Sequence, residues 1–482
     1  MAATLDYHWD HSNLAGSYSS ALEACTAYVN FFTRSKLVGI SPYISSNYVV
    51  CNLTYVQAIT KEVLPSTTRV RRMGTGCSKS INPTSVGCTY DPQKGPPPQS
   101  CSVAPSSAQS STQSYTYVGN PINFAVGNKF QQEGDYSFGN SSTLDFKRSY
   151  NSLDGLWRHS HSTHLRFFGG QYVSLVMWHG GESHFTVSGA NIVSTSGELG
   201  VLSKTDTGWL FISTSNERFT FDTAGKLTQW SNAQGALHQF AYTGNQITVT
   251  DNLDNSLTVT EDADKQPLTL TAPGVQINYG YNANKRLTSV VRIIGGQAAQ
   301  SQFHYEVPGK PDLLTGITDE RGVRYASWAY DDQGRAISSE HAGGADRVSV
   351  TYNSDGTVSV LNELGKVANY SFQYINGVRR ITAIDGEPSL SCPSSNSTFT
   401  YEDRGLVITK TDNKGIVTTY DYNDRGLEVS RTEASGTAQA RTVTTEWHSS
   451  LYLPVAVTEP DRITRYQYDD QGRQLSRTVE NR

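Results

Sequence analysis

Three closely spaced histidines, His159, His161 and His164, are the first residues in the chain whose types and spacing could do chemistry. On a strand, alternate residues share a face, so His159 and His161 would lie together and could suit a metal ion, with His164 opposite. His179 and His184 follow further on. Ordinary polar positions in a strand explain the same residues, and neither a metal nor another cofactor is expected. The adjacent carboxylates Asp331 with Asp332, and Asp469 with Asp470, have the types an acid–base pair needs. They recur inside a repeated unit, however, and an Asp side chain that accepts backbone N–H bonds in a turn accounts for them. No Gly-x-Ser-x-Gly, His-Glu-x-x-His or Gly-x-x-x-x-Gly-Lys segment occurs, so no nucleophile or phosphate cradle is expected. Gly295-Gly296 and Gly343-Gly344 read as turns. Trp157, Trp178, Trp209, Trp230, Trp328 and Trp447 could stack on sugars, but sheet packing is the commoner use of such residues. No catalytic residue is assigned, and the chain is not expected to be an enzyme.

Cysteine usage is lopsided. Cys25, Cys51, Cys77, Cys88 and Cys101 precede the prolines and serines of a linker-like stretch or lie in it, and Cys392 stands alone later. Clustering of this kind suggests disulfides formed in an oxidising compartment. Zinc is the alternative, but there is no Cys-x-x-Cys pair, and His8 and His11 are the nearest histidines. The odd count leaves one thiol free, paired with Cys392, or paired outside the chain.

The elements that would position these residues follow from composition. Of 482 residues, 17% are charged and 37% hydrophobic, with 27 Tyr and 41 Gly. Tyr, Thr, Val and Ser with frequent Gly suit many short strands and tight turns. A net charge of −5 gives no reason to expect nucleic acid as a partner. Arg69, Arg71 and Arg72 read as a solvated turn. No apolar run is long enough to span a membrane, and the opening residues lack the pattern of a signal peptide. Export by another route, or a leader already removed, is expected.

Four regions are expected. Residues 1–90 form a small α+β unit carrying disulfides. Its helix is marked by a capping box at Ser20 and Glu23 and by Leu22, Cys25, Val29 and Phe32 at helical steps. Residues 91–114 are a linker rich in Pro and Ser. Residues 115–218 alternate as strands, in Leu144–Tyr150 and Gln171–Trp178, between Gly-rich turns. Residues 219–482 repeat one unit: an aromatic residue, Asp or Asn, two or three residues, Gly, often a basic residue, then an aliphatic one. It appears at Phe221, Asp222 and Gly225; at Tyr281; at Tyr330, Asp331, Gly334 and Arg335; at Tyr352 and Gly356; at Tyr422 and Gly426; and at Tyr468, Asp469, Gly472 and Arg473. A second pattern is interleaved, as in Asp319-Glu-Arg-Gly-Val-Arg-Tyr325. Asn or Asp followed shortly by Gly supplies the positive-φ positions of a hairpin turn. A lone hairpin is barely stable, so stability must come from stacking many of them into an extended, curved antiparallel sheet.

These units resemble the YD repeats of Rhs proteins, of insecticidal toxin-complex C subunits and of animal teneurins. Gly119–Phe130, Asp145–Ser152 and Gly155–Ser160 resemble successive motifs of the N-terminal module of bacterial Rhs proteins. The resemblance covers roughly residues 118–482. It implies a spiralling β-shell that holds a toxic C-terminal cargo, and secretion or cell-surface display in competition between bacteria. Secretion machinery or cell-surface glycans are the other partners expected. The Pro…Asp-Pro-x-Gly-Leu motif with which the family closes its repeat core does not occur within these residues. An open sheet or partial cocoon is therefore expected, from the N-terminal part of a longer protein. A surface adhesin or glycan-binding protein is the alternative reading.

Overall fold

The computed structural model describes residues 8–10, 21–31, 35–42, 48–56, 63–73, 81–84, 87–90, 93–97, 116–139, 142–168, 172–194, 197–375, 378–386 and 395–482. It divides into two compact units, residues 1–91 with 167–174, and residues 92–166 with 175–482.

In the first unit a helix, Ala21–Phe31, accompanies a sheet in the order His8–Asp10, Val63–Met73, Tyr48–Val56, Ser35–Pro42. Ala24, Cys25 and Val29 on the helix are buried, as are Cys51 and Leu53 on a strand. A disulfide joins Cys25 to Cys51 across a Cα separation of 5.6 Å. It closes a loop through both elements and so limits the freedom of the unfolded chain. Cys77, Cys101 and Cys392 lie outside the described residues, as does the side chain of Cys88. The solvated turn expected at Arg69, Arg71 and Arg72 is instead strand. Arg69 stands opposite Val50 and Arg71 opposite both Tyr48 and Asp10. No Gly, Asn or Asp interrupts Val63–Met73, so no residue there favours the positive-φ position of a tight turn.

The second unit begins with a module of short strands. They are ordered Trp157–His159, Phe146–Asn151, Asn128–Tyr136, Ile122–Asn123, Tyr117–Val118. A hairpin follows, Glu182–Ser188 with Asn191–Ser194. Then comes one 26-stranded sheet, counted among the described residues, from Val201–Thr205 to Gln474–Asn481, with strands neighbouring in strict chain order. The pairings are antiparallel throughout, from the first hairpin of the sheet to the last. The fold is thus mainly antiparallel β, dominated by an open sheet.

Alternation sets the burial. In Gln246–Asp251 and Ser256–Glu261, Ile247, Val249, Leu257 and Val259 are almost fully buried, while Thr248 and Thr258 face the other way and their hydroxyls meet. The sheet also coils back on its own start. The Tyr452 amide donates to Asn216 Oδ1 at 2.8 Å, across 236 residues of sequence. The Tyr452 hydroxyl bonds the Leu199 carbonyl. Gly426 fits beside Leu199 because it has no side chain: a Cβ would stand 2.6 Å from Leu199 Cδ2. The two end strands do not pair, so the coil is a spiral with free edges and not a closed barrel.

Candidate functional site: the repeat latch and the module on the sheet

Each repeat is a latch built from three residue types. The Asp or Asn first closes the turn. The Asp331 amide donates to the Arg335 carbonyl and the Gly334 amide to the Asp331 carbonyl, both at 2.9 Å. Asp331 Oδ1 then accepts the amides of Gln333 and Arg335, and Oδ2 accepts Arg335 Nε at 2.7 Å. Asp469 repeats the arrangement with Gln471 and Arg473. Asp222 and Asn423 make the same pair of amide bonds. Burial would raise the Asp331 carboxyl, but the Arg335 amide and guanidinium outweigh it and hold the group below the usual carboxylate range. The carboxylate oxygens of Asp331 and Asp469 are thus engaged in the turn.

Glycine supplies the one left-handed position. Gly225, Gly334, Gly426 and Gly472 have φ of 82°, 81°, 74° and 84°. Where the repeat lacks Gly, Lys285 takes φ of 57° in its place, a conformation that costs an L-residue about 1 kcal/mol or more.

The aromatic residue then ties one hairpin to the one before. Hydroxyls of Tyr281, Tyr330, Tyr352, Tyr422 and Tyr468 donate to the carbonyls of Pro267, Leu314, Ala336, Val407 and Pro454, at 2.7 to 3.0 Å. Pairing slips by one residue just before Phe221, Tyr281, Tyr330, Tyr422 and Tyr468. Such a bulge re-aims a side chain and increases local twist, which points the tyrosine back along the sheet. The 352–358 turn is the exception: its register is unbroken, and Asp355, not Asn353, accepts the Thr357 amide. Burial pushes the Tyr330 hydroxyl well above its ordinary value, so it stays a donor. Tyr330→Phe should lose about 1 kcal/mol of unfolding free energy by urea titration, the worth of one such bond. Asp331→Ala strips several turn donors of their acceptor and should lose about 1–2 kcal/mol in the same assay. An Asp331→Ala midpoint equal to wild type would mean the turn closes without the carboxylate.

The module lies along the buried face of this sheet and carries charge into it. Arg148 forms a two-bond pair with Asp135, Nε to Oδ2 at 2.5 Å and Nη2 to Oδ1 at 3.0 Å. The Tyr279 hydroxyl, from the sheet, donates to the same carboxylate at 2.8 Å. The guanidinium sits 5.0 to 5.4 Å from the ring centres of Trp157, Tyr279 and Phe303. Lys94, inside the stretch expected to be linker, is buried and reaches Asp154 at 2.9 Å and Glu182 at 3.1 Å. Arg158 joins Asp154 and Arg166 joins Glu182. Burial alone would raise the Asp154 carboxyl; Arg158 and Lys94 hold it far below the usual range. The Gln93 side chain and the Arg379 backbone exchange bonds, so residues 93–97 are packed rather than free.

The histidines are not placed as one strand would place them. The strand ends at His159, a turn follows, and His164 opens the next strand. His159 Nε2 lies 3.2 Å from Glu261 Oε2. His161 is buried beside it, and the His164 ring bonds the Ser162 carbonyl. Among the described residues no group of three or more His, Cys, Asp or Glu could hold a metal ion. Four tryptophans spend their N–H groups internally: Trp157 on Tyr305, Trp230 on Glu217, Trp328 on the Asn120 carbonyl and Trp447 on the Glu428 carbonyl. Sequence reasoning missed Lys94, Asp135 and Arg148. For Asp135 and Arg148 the available signal was charge at strand positions that alternation would bury.

Comparison with protein families matches residues 119–185 to a domain of unknown function (DUF6531) and residues 401–438 to the RHS repeat. The second match contains the latch of Tyr422, Asn423 and Gly426. Residues 401–438 thus carry an RHS repeat. Comparison with curated proteins gives no match. Among solved structures, the chain is similar to a TcdB2-TccC3-Cdc42 crystal structure at 10% identity and a TM-score of 0.31, covering 73% of this chain and 19% of that one. A TcdB2-TccC3 structure matches at 12% and 0.31, over 90% and 23%. The Photorhabdus luminescens Tc holotoxin pore matches at 13% and 0.28, over 90% and 25%. The chain thus spans about a fifth to a quarter of these three solved chains. The family matches and the repeated latch, not these scores, carry the assignment. Among the described residues no helix is long and apolar enough to cross a membrane.

Proposed function

We propose that this chain is a wall segment of a secreted or cell-surface shell that encloses a C-terminal toxin or other cargo and delivers it in competition between bacteria. The observation that supports this most is the coil: the sheet returns on itself at Tyr452 and Asn216, as a wall must to surround a space. The latches add a hairpin at a time without a closing partner, so the wall extends by repetition. The module fills the buried face of the wall with its own side chains. The chain's part is mechanical, with no step of bond chemistry assigned to any residue. Its partners are the cargo and the machinery that exports it.

The test uses the complete gene product. It is treated with a nonspecific protease before and after mild denaturation. A segment following the repeats should survive in the native protein and be digested once the shell is opened. Digestion of that segment in the native protein as fast as when it is expressed alone would rule out enclosure.

A further inference from the structure

We propose that the seam between the module and the repeat sheet is an acid-operated latch, seated while the imidazole of His161 is neutral and unseated when it takes a proton. The inference concerns this chain alone and does not depend on a cargo.

The geometry is a row of rings shared by the two sides. From the module come Phe146, His159 and His161; from the sheet come His238 and Phe240. The His161 ring centre lies 5.9 Å from those of Phe146 and Phe240, 6.4 Å from His159 and 6.1 Å from His238. His161 is 3% exposed, and its Nε2 reaches no hydrogen-bond partner. Its ring is bonded instead to the Asp145 backbone. An imidazole accommodates this only as the neutral form, since a buried charge without a partner costs several kcal/mol.

The surrounding charges are committed elsewhere. Glu261, on the sheet, is held by His159 and Lys265. Asp251 takes Ser142, Asn255 and two turn amides. The Asp145 carboxylate pairs with Lys147 at 3.3 Å. His238 meets Thr143 at 3.1 Å and lies against the Trp230 ring. A proton arriving at His161 would therefore find a row of rings and no available counter-charge.

The direction follows. Burial pushes His161 well below its ordinary value, and His159 and His238 push the same way against the Asp145 backbone bond. Burial also lowers His238, with Asp251 and Asp145 opposing. Once unseated, each imidazole titrates near 6.5. A group depressed in the seated state gives its full stabilisation above that value and loses it as pH falls. His164 and His179, each pushed down to about 4 chiefly by burial, act in the same module with the same sign. The carboxylates Glu261, Asp251 and Glu182 also sit below their ordinary values despite burial, held there by their partners. They respond only below about pH 4.5. The window between about 6.5 and 4.5 thus belongs to the histidines.

The test follows the full chain through an acid titration with two signals: a dye that fluoresces on exposed apolar surface, and far-ultraviolet circular dichroism for the sheet. Dye fluorescence should rise several-fold inside that window while the sheet signal holds. His161→Phe should move the dye midpoint down by about half a pH unit or more. His161→Arg, with its fixed charge, should bind dye already at neutral pH. If His161→Phe proves misfolded at neutral pH by its sheet signal, His238→Phe serves the same comparison. Superimposed dye curves for the folded Phe variant and wild type would overturn the proposal. So would a sheet signal that collapses together with the dye rise.

Discussion

Asp135→Ala is expected to lose about 3–5 kcal/mol of stability, among the largest effects available to one substitution in this protein. Both partners of the pair are buried, Asp135 at 3% and Arg148 at 2% exposure. Burial alone would lower the Arg148 guanidinium, but Asp135 outweighs it and holds the cation charged. Truncation would strip the paired carboxylate from that cation among Trp157, Tyr279 and Phe303, leaving Glu133 opposite it as a weaker charge partner, and it would remove the acceptor of the Tyr279 hydroxyl. The penalty comes from the stranded charge, not from the value of the pair. Replacing both partners, Asp135→Leu with Arg148→Met, should therefore cost much less than the single change. Urea unfolding of the two variants separates these readings. A single variant within about 1 kcal/mol of wild type would show that water or a shifted side chain reaches the guanidinium.

The repeat was legible in the sequence because its parts act on neighbours. Asp331, Gly334 and Arg335 meet within one turn, and Tyr330 meets a carbonyl one hairpin away, so spacing alone records the contact. The bulge before each aromatic residue was not legible, since it depends on how two strands pair. The module's charges were opaque for a similar reason. Arg148 and Asp135 lie on adjacent strands, but Tyr279 arrives from 144 residues away. Lys94 sat among prolines that read as linker, and only its fold-level partners Asp154 and Glu182 show why it is buried. The spacing of His159 and His161 read as one strand face; a turn intervenes, and the two rings meet each other beside Phe146. The coil at Asn216 and Tyr452 left no local trace, because curvature accumulates over many hairpins.

Trp157→Ala should also lose about 3–5 kcal/mol, the usual result of emptying a buried indole site, and should do so unevenly along the chain. Trp157 is fully buried. Its ring meets Tyr150 at 5.4 Å and Phe303 at 5.1 Å, and its Nε1 donates to the Tyr305 hydroxyl at 2.9 Å. Tyr150 belongs to the module, while Phe303 is a sheet residue and Tyr305 directly follows its strand. The cavity would thus open on the seam. Repeats far along the sheet, such as Tyr422–Leu427, keep their own latches. Hydrogen exchange should accordingly rise most in residues 128–159 and their sheet contacts, and least beyond residue 400, because local stability follows local contacts. Uniform acceleration along the chain would instead mean that module and repeats unfold as one unit. The Trp157→Ala and Asp135→Ala changes should not add. Both uncover Arg148, so their joint cost should fall short of the sum by about 0.5–3 kcal/mol. That deficit, measured in a double-mutant cycle, would identify the guanidinium as the group through which the module holds the wall.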